Sequence, residues 1–577
     1  MDQKTPETTK KQESLISFLK NYKALIFGVI FLSLIVNLLT LILPRINARV
    51  IDSLQNLTYN KDEALMLFGV VTTAILLFTM VQNVLSSITS EKIAAELRRQ
   101  LIEKISRQSF TYVNQVTASK LLTNLTADVD AVKQFINQRI VFAFAAVVQL
   151  IGSIILLLSI NWRLAIPVLL TIPILGVSFG VIFSKIEKYF VQGQEVIDKL
   201  NRVINESIVG SALVRVLNAR RFETDKFLVA NEEARGVGTK IVNGFAAIIP
   251  IINVVVNVSF LIVMGYGGIQ VIDGTLSAGD FSAFFSYIFI FIFPIVMLGF
   301  LASGIGRAFA TYTRLKEVID SEEPKEGGNL KKEIEGSIEL RKVTLDLENK
   351  RILGDINFTV KPKSRVGIIG PTAAGKTQIF YLITGLIQPN EGEILVDGKP
   401  INDYDRDNLY SQMGMVFQDS IIFNTTLREN IAFRNEEMSD ETIWKAIETA
   451  ELKDFVDTLP EGLDTKISER GSSLSGGQKQ RLTLARALAL NPKILLLDDF
   501  TARVDINTER KIFANLKQNY PEITVVAITQ KIKSIEEFDD IVLVMEGELI
   551  ATGKHEELLK SSLEYQQIYN SQQRTED

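Results

Sequence analysis

The chain has 577 residues, no cysteine, a single histidine and a formal net charge of −5. The lack of cysteine excludes disulfides, thiolate metal sites and thiol catalysis, and so mild a charge supplies no basic field for nucleic acid. The length exceeds one ordinary core, and the composition turns from apolar to mixed near the middle, so at least two domains follow.

Met1 to Glu13 is polar and charged, and the first apolar run is too long for the core of a cleavable signal, so residues 1–23 read as a retained tail with an interfacial helix. Six stretches then lack any charged residue: 24–44, 64–90, 140–162, 164–184, 241–272 and 281–306. A hydrocarbon core of about 30 Å needs roughly 20 helical residues, so each is long enough to span, and together they make 24–306 a transmembrane domain. Buried helices of a soluble protein are the alternative, but those are seldom so long and uniformly uncharged. Lys and Arg number five in 1–23, eight in 91–139 and ten in 185–240, against three in 45–63, one at 163 and none in 273–280. Positive connections stay inside, which places the N-terminus and everything after the sixth span in the cytoplasm.

The two long inner connections are amphipathic and nearly free of proline, so they extend the spanning helices, with turns expected near Thr117–Thr126 and Ser207–Leu217. The aromatic-rich run from Phe281 to Phe293 either lines an apolar cavity or packs against lipid. No Asp, Glu, Lys, Arg or His marks an ion or proton route within the spans. Asn56-Leu57-Thr58 has the glycosylation pattern in an outer loop.

Residues 307–335 form a charged linker, and 336–577 alternate β-branched runs with amphipathic helices, the pattern of an α/β domain. The run Arg365–Ile369 reads as a strand leading into Gly370-Pro371-Thr372-Ala373-Ala374-Gly375-Lys376-Thr377, with a helix expected from about Lys376. Strand, glycine-containing loop and helix are the context that a phosphate-binding P-loop requires. Gly370, Thr372, Ala373, Ala374, Gly375, Lys376, Thr377 and Gln378 are therefore the nucleotide-binding candidates. Backbone N–H groups there surround phosphate, Lys376 supplies a cation to the outer phosphates, and the Thr377 hydroxyl suits Mg²⁺. Ile494–Leu497 reads as a buried parallel strand ending in Asp498, whose carboxylate holds the metal through water. Hydrolysis requires a base of adequate reach at the next position. Asp499 stands there, one methylene shorter than Glu.

With Leu474-Ser475-Gly476-Gly477-Gln478 added, the chain resembles a half-transporter of the ABC exporter type from about residue 13 onward. The resemblance implies a six-helix membrane domain with long cytoplasmic helical extensions followed by an α/β ABC nucleotide-binding domain, using ATP and Mg²⁺. Ser475, Gly476, Gly477 and Gln478 match the signature that acts in trans, and Glu469-Arg470-Gly471 matches the exporter X-loop. Gln418 matches the Q-loop ligand of Mg²⁺ that also senses the membrane arms, Asp505 matches the D-loop aspartate, and the inner turns match the coupling helices. Four positions depart from the pattern: Asp499 replaces the catalytic Glu, Gln530 the switch His, Leu347 the aromatic that stacks on the base, and Arg503 a small D-loop residue. His555 lies outside the family's active site, at a surface position before the final helix.

Two of the changes, at 499 and 530, strike hydrolysis and leave phosphate binding alone. That pairing resembles the degenerate-site subunit of heterodimeric bacterial multidrug exporters, whose partner carries a competent Glu and switch His. The resemblance thus implies a lipid bilayer of the bacterial cytoplasmic membrane, a small amphipathic substrate and a second half-transporter completed by this chain's intact signature. A self-sufficient homodimer and a nucleotide-gated regulatory membrane protein are the alternatives.

Overall fold

The computed structural model describes residues 15–56, 60–324, 327–347, 350–433, 435 and 437–576, without the side chains of 16, 293, 296–305, 307, 470 and 574–576. Most of the polar tail, Leu57-Thr58 of the glycosylation triplet, part of the linker, and the side chains of Phe293 and Arg470 therefore lie outside the described residues. The chain divides into two compact units, 1–107 with 116–322 and 108–115 with 323–577.

The first unit is helical. Four segments are apolar enough to cross a membrane among the described residues: Ser17–Gln55, Lys61–Ser106, Ala118–Leu169 and Arg220–Ile272; Ala278–Ile292 is a shorter apolar piece. The apolar stretch 164–184 falls into two pieces, because one helix ends at Leu169 and the next begins at Thr171. The turn anticipated at Arg163 lies instead at Asn161, whose backbone is non-helical (φ −156°, ψ 102°). Its side-chain oxygen accepts the Leu164 N–H at 3.1 Å, so Asn161 ends one helix and caps the next.

Helix Lys61–Ser106 has 46 residues, a rise of about 69 Å. It stops at Arg107, a short helix Phe110–Val116 follows, and Thr117 ends it, so this inner turn meets the expected Thr117–Thr126 only at its first residue. Thr117 breaks the helix with φ 70°, but the polar residues 118–126 continue in helical geometry. Within the second unit, the Phe110 ring lies 4.8 Å from that of Tyr381. The other inner turn holds the short helix Ser211–Val216, within the expected range.

The aromatic run packs neither on lipid nor around an open cavity at its main positions. Phe284, Tyr287 and Phe291 are fully buried among Leu157, Leu164 and Val168, while Phe289 is exposed. The Tyr287 hydroxyl donates to the Leu41 carbonyl at 2.9 Å, which removes the cost of burying it.

Among the described residues the second unit carries ten strands: β1 Ile338–Leu347, β2 Lys350–Val360, β3 Arg365–Ile369, β4 Glu391–Val396, β5 Lys399–Pro400, β6 Met413–Val416, β7 Ile494–Asp498, β8 Thr524–Thr529, β9 Asp540–Met545 and β10 Glu548–Gly553. One sheet is antiparallel, β2-β1-β4-β5; the other runs β10-β9-β3-β8-β7-β6, parallel except for the edge pair β10–β9. Every residue of β7 and β8 is buried, as continuous apolar strands covered on both faces must be.

A polar node ties the helical part of this unit together. Asn430 is fully buried; its amide donates to the carbonyls of Phe423 and Thr426, and its oxygen accepts from Phe423 N–H and from Arg486. Arg486 reaches it from helix Gly476–Ala489, donates to the Asn430 and Ile421 carbonyls, and has its pKa pushed down to about 10 by burial. Substituting Asn430→Ala strands several of these buried groups, so the nucleotide unit should lose about 2 kcal/mol or more of stability, read as an earlier melting transition of the full chain.

Candidate nucleotide site

The parallel order β3-β8-β7-β6 brings four loops to one sheet edge. In register, Ile369 of β3 pairs with Thr529 of β8, Asp498 of β7 with Ile528, and Val416 of β6 with Leu497. The loops that leave these strands carry the P-loop, Gln530, Asp499 and Gln418. Ligands of open parallel sheets bind outside such carboxyl ends. One cleft is lined there by Thr372–Gln378, Gln418, Asp498, Asp499 and Gln530, with Ile352 and Ile528.

Helix Lys376–Ile383 begins where expected, behind Gly375 at φ 88°. A Cβ on Gly375 would come within 2.6 Å of Leu353, so this position needs glycine for space as well as conformation. Ala373 also adopts a left-handed backbone, φ 66°, at a cost of about 1 kcal/mol relative to glycine. Lys376 is 8% exposed; its ammonium donates to the carbonyls of Gly370 and Pro371 at 2.8 and 2.7 Å. Burial draws its pKa down, opposed by Asp499 and Asp498. Gly370 does not line the cleft. A Cβ there would meet the Val544 carbonyl, so its part is close packing and an acceptor for Lys376.

The Thr377 hydroxyl donates to Asp498 at 3.3 Å, placing the two proposed metal-site groups together, and Gln418 lines the same cleft. A hydroxyl, a carboxylate and an amide oxygen form the hard donor set that Mg²⁺ takes, so these residues fit the ion. Asp498 is pushed up to about 6 by burial, and burial also raises Asp499, against the pull of Lys376 and Lys531. Two adjacent half-desolvated carboxyls beside a lysine form a site whose charge balance a metal–phosphate group completes.

Three features lay beyond sequence reasoning. Ile352 and Ile528 form apolar cleft wall, while Leu347 sits elsewhere, opposite Lys350 across the β1–β2 hairpin. No motif marks either isoleucine; only sheet register puts them there. The third is Gln572 of the last helix, Leu563–Glu576: its amide donates to the Gln530 carbonyl at 2.6 Å and accepts the Ile532 N–H at 2.9 Å. One side chain thus brackets the loop that carries Gln530.

The signature does not enter this cleft. Ser475 caps helix Gly476–Ala489 in a reciprocal pair with Gln478. Arg503 closes on it: a Cβ on Gly476 would lie 2.9 Å from the Arg503 side chain, and one on Gly477 would lie 2.8 Å from its carbonyl. Asp505 caps helix Ile506–Asn519 through the Thr508 N–H. His555 packs inward rather than standing free: its Nδ1 meets the Tyr565 hydroxyl at 2.8 Å, far along the chain from the cleft loops.

Residues 26–295 match the family model of the ABC transporter transmembrane region, and 353–502 match the family model described as ABC transporter. The chain is an ABC transporter. It is 31% identical over 571 residues to the uncharacterised ABC transporter ATP-binding protein YfiB of Bacillus subtilis (strain 168), covering 97% of this chain and 98% of that protein. An ATP-dependent lipid A-core flippase of Syntrophus aciditrophicus (strain SB) is 28% identical over 85% of this chain and 82% of its own. The fold is that of a bacterial Atm1-family ABC exporter solved with ATP bound: TM-score 0.77, 23% identity, 95% of this chain and 98% of that one. The chain thus carries an ABC transmembrane region and an ABC nucleotide-binding unit in one polypeptide, within a family of ATP-driven transporters.

Two outcomes check the site. Ala373→Gly should stabilise the nucleotide unit by about 1 kcal/mol instead of costing stability, whereas Gly375→Ala should weaken Mg-ATP binding about tenfold or more. Gln572→Ala should speed hydrogen exchange at the Ile532 amide while leaving protection of β3 unchanged.

Proposed function

We propose that this transporter is the degenerate-site half of a heterodimeric exporter. The observation that carries the reading is the composition of one cleft. Lys376, Thr377 and Asp498, the phosphate and metal groups, are in place, and both substituted positions, Asp499 and Gln530, line the same walls. Such a site binds Mg-ATP and hydrolyses it slowly, because a shorter carboxylate and an amide replace the base and the switch imidazole. Misplacing a reacting group by about an ångström costs on the order of 100-fold. Ser475, Gly476, Gly477 and Gln478 complete the partner's competent site in trans.

In this reading the six apolar stretches cross the bacterial cytoplasmic membrane, with the N-terminus and the nucleotide unit inside. The cargo is amphipathic or hydrophobic. The lack of charge in the spans and the flippase activity in a relative's name both support that class. A homodimer is the second reading, favoured by Asp499 lying in the cleft beside Lys376.

The test is turnover by the chain purified alone, with nucleotide binding measured on the same sample. Binding with little turnover, restored on coexpression with a partner that has Glu and His at these positions, is the expected result. The double variant Asp499→Glu/Gln530→His should raise turnover of the chain alone about tenfold or more. Fast turnover by the unaltered chain would establish the homodimer instead.

A further inference from the structure

Beside the loop that carries Gln530 lies a second cavity of about 770 Å³, lined by none of the P-loop residues. Gln530 borders both spaces. The second is walled by helix Ile506–Asn519, the segment 530–538 and Gln572. This size lies within the range of small-ligand sites.

Its chemistry is unusual in one respect. Glu509, 3% exposed, lines it with neither carboxylate oxygen in hydrogen-bond geometry among the described residues, the Ser534 hydroxyl lying near enough only to favour the charged form. A buried, unsatisfied carboxylate is costly, and the cost is removed by a ligand that donates to both oxygens. Burial raises its pKa, opposed by Ser534, Lys531 and Arg510. Beside it Phe513 and Phe538 meet edge to face at 5.3 Å, and both line the cavity. Of the charged lining residues five are basic and three acidic, with Arg510 and Lys517 exposed. A simple organic cation is therefore opposed by the surrounding field. What fits is a flat ring with two adjacent neutral N–H donors for Glu509 and an anionic tail for the basic side.

We propose that this cavity is a second ligand site, taking a planar heterocycle with a paired N–H edge and an anionic substituent, the pattern of a guanine nucleotide. Glu509 reads the N–H edge, the Phe513–Phe538 pair forms the apolar wall against the ring and Lys517 holds the anion. Occupancy presses on the loop that Gln572 brackets, so the ligand acts on the position of Gln530. The inference concerns this chain's own nucleotide unit and is independent of the heterodimer reading.

The test is GMP binding to the full-length protein, by calorimetry, with the P-loop saturated by Mg-ATP. GMP should bind saturably under those conditions and AMP about tenfold more weakly or worse, because AMP lacks the paired donors. Glu509→Gln should cost GMP about tenfold. Lys517→Ala, an exposed position that leaves the fold intact, should weaken GMP while leaving guanosine unchanged. Mg-ATP binding by each variant shows that it is folded. The proposal is overturned if protein that binds Mg-ATP takes up no GMP, if AMP binds as well as GMP, if ATP displaces GMP competitively, or if both variants bind GMP like the parent.

Discussion

A polyphosphate cannot be held without many donors converging on one point, and the parallel pairing of β3, β8, β7 and β6 is what makes them converge. Adjacent parallel strands end at one edge, so the residues that follow them become neighbours however far apart they lie in the chain. Thr377 and Asp498 meet at 3.3 Å for this reason alone. The strands must be apolar throughout to lie buried on both faces, and the polar groups appear only where each strand ends. The boundary between burial and chemistry is the last residue of each strand.

The same arrangement leaves Ser475–Gln478 outside the cleft. Its signature helix begins at a distance from its own cleft, with Gly476 and Gly477 needed as glycines because Arg503 and its carbonyl press against them. A larger residue at either position would force the D-loop away. Signature and D-loop are therefore one packed surface, and the Arg503 substitution changes that surface without removing the capping pair of Ser475 and Gln478.

In the helical unit, polar residues act at helix ends and junctions. Asp52 accepts the Gly279 N–H at 2.7 Å and the Ser277 hydroxyl at 2.8 Å, holding the start of helix Ala278–Ile319, and Arg45 pairs with Asp280 at 2.8 Å. Such contacts define how uncharged helices register against one another, since apolar packing alone has no preferred axial position.

Local chemistry was legible because it is written contiguously. The P-loop with its strand and helix, the signature with its cap, the acid-ended strand and the alternation of charged connections with apolar runs each occupy one stretch of sequence. Fold class and the nucleotide-binding groups follow from those stretches. Polarity alone placed the first inner turn too late, because only Thr117 of 117–126 leaves helical geometry, and the aromatic run near 287 turned inward. Hydrophobicity reports that a side chain avoids water and is silent on which apolar neighbour it meets. The convergence of Gln418, Asp498, Asp499 and Gln530 on one cleft, the approach of Ile352, the grip of Gln572 on the switch loop and the unpaired burial of Glu509 were decided only by tertiary structure. Each is a relation between distant positions, fixed by strand order and register, which no single stretch of the chain encodes.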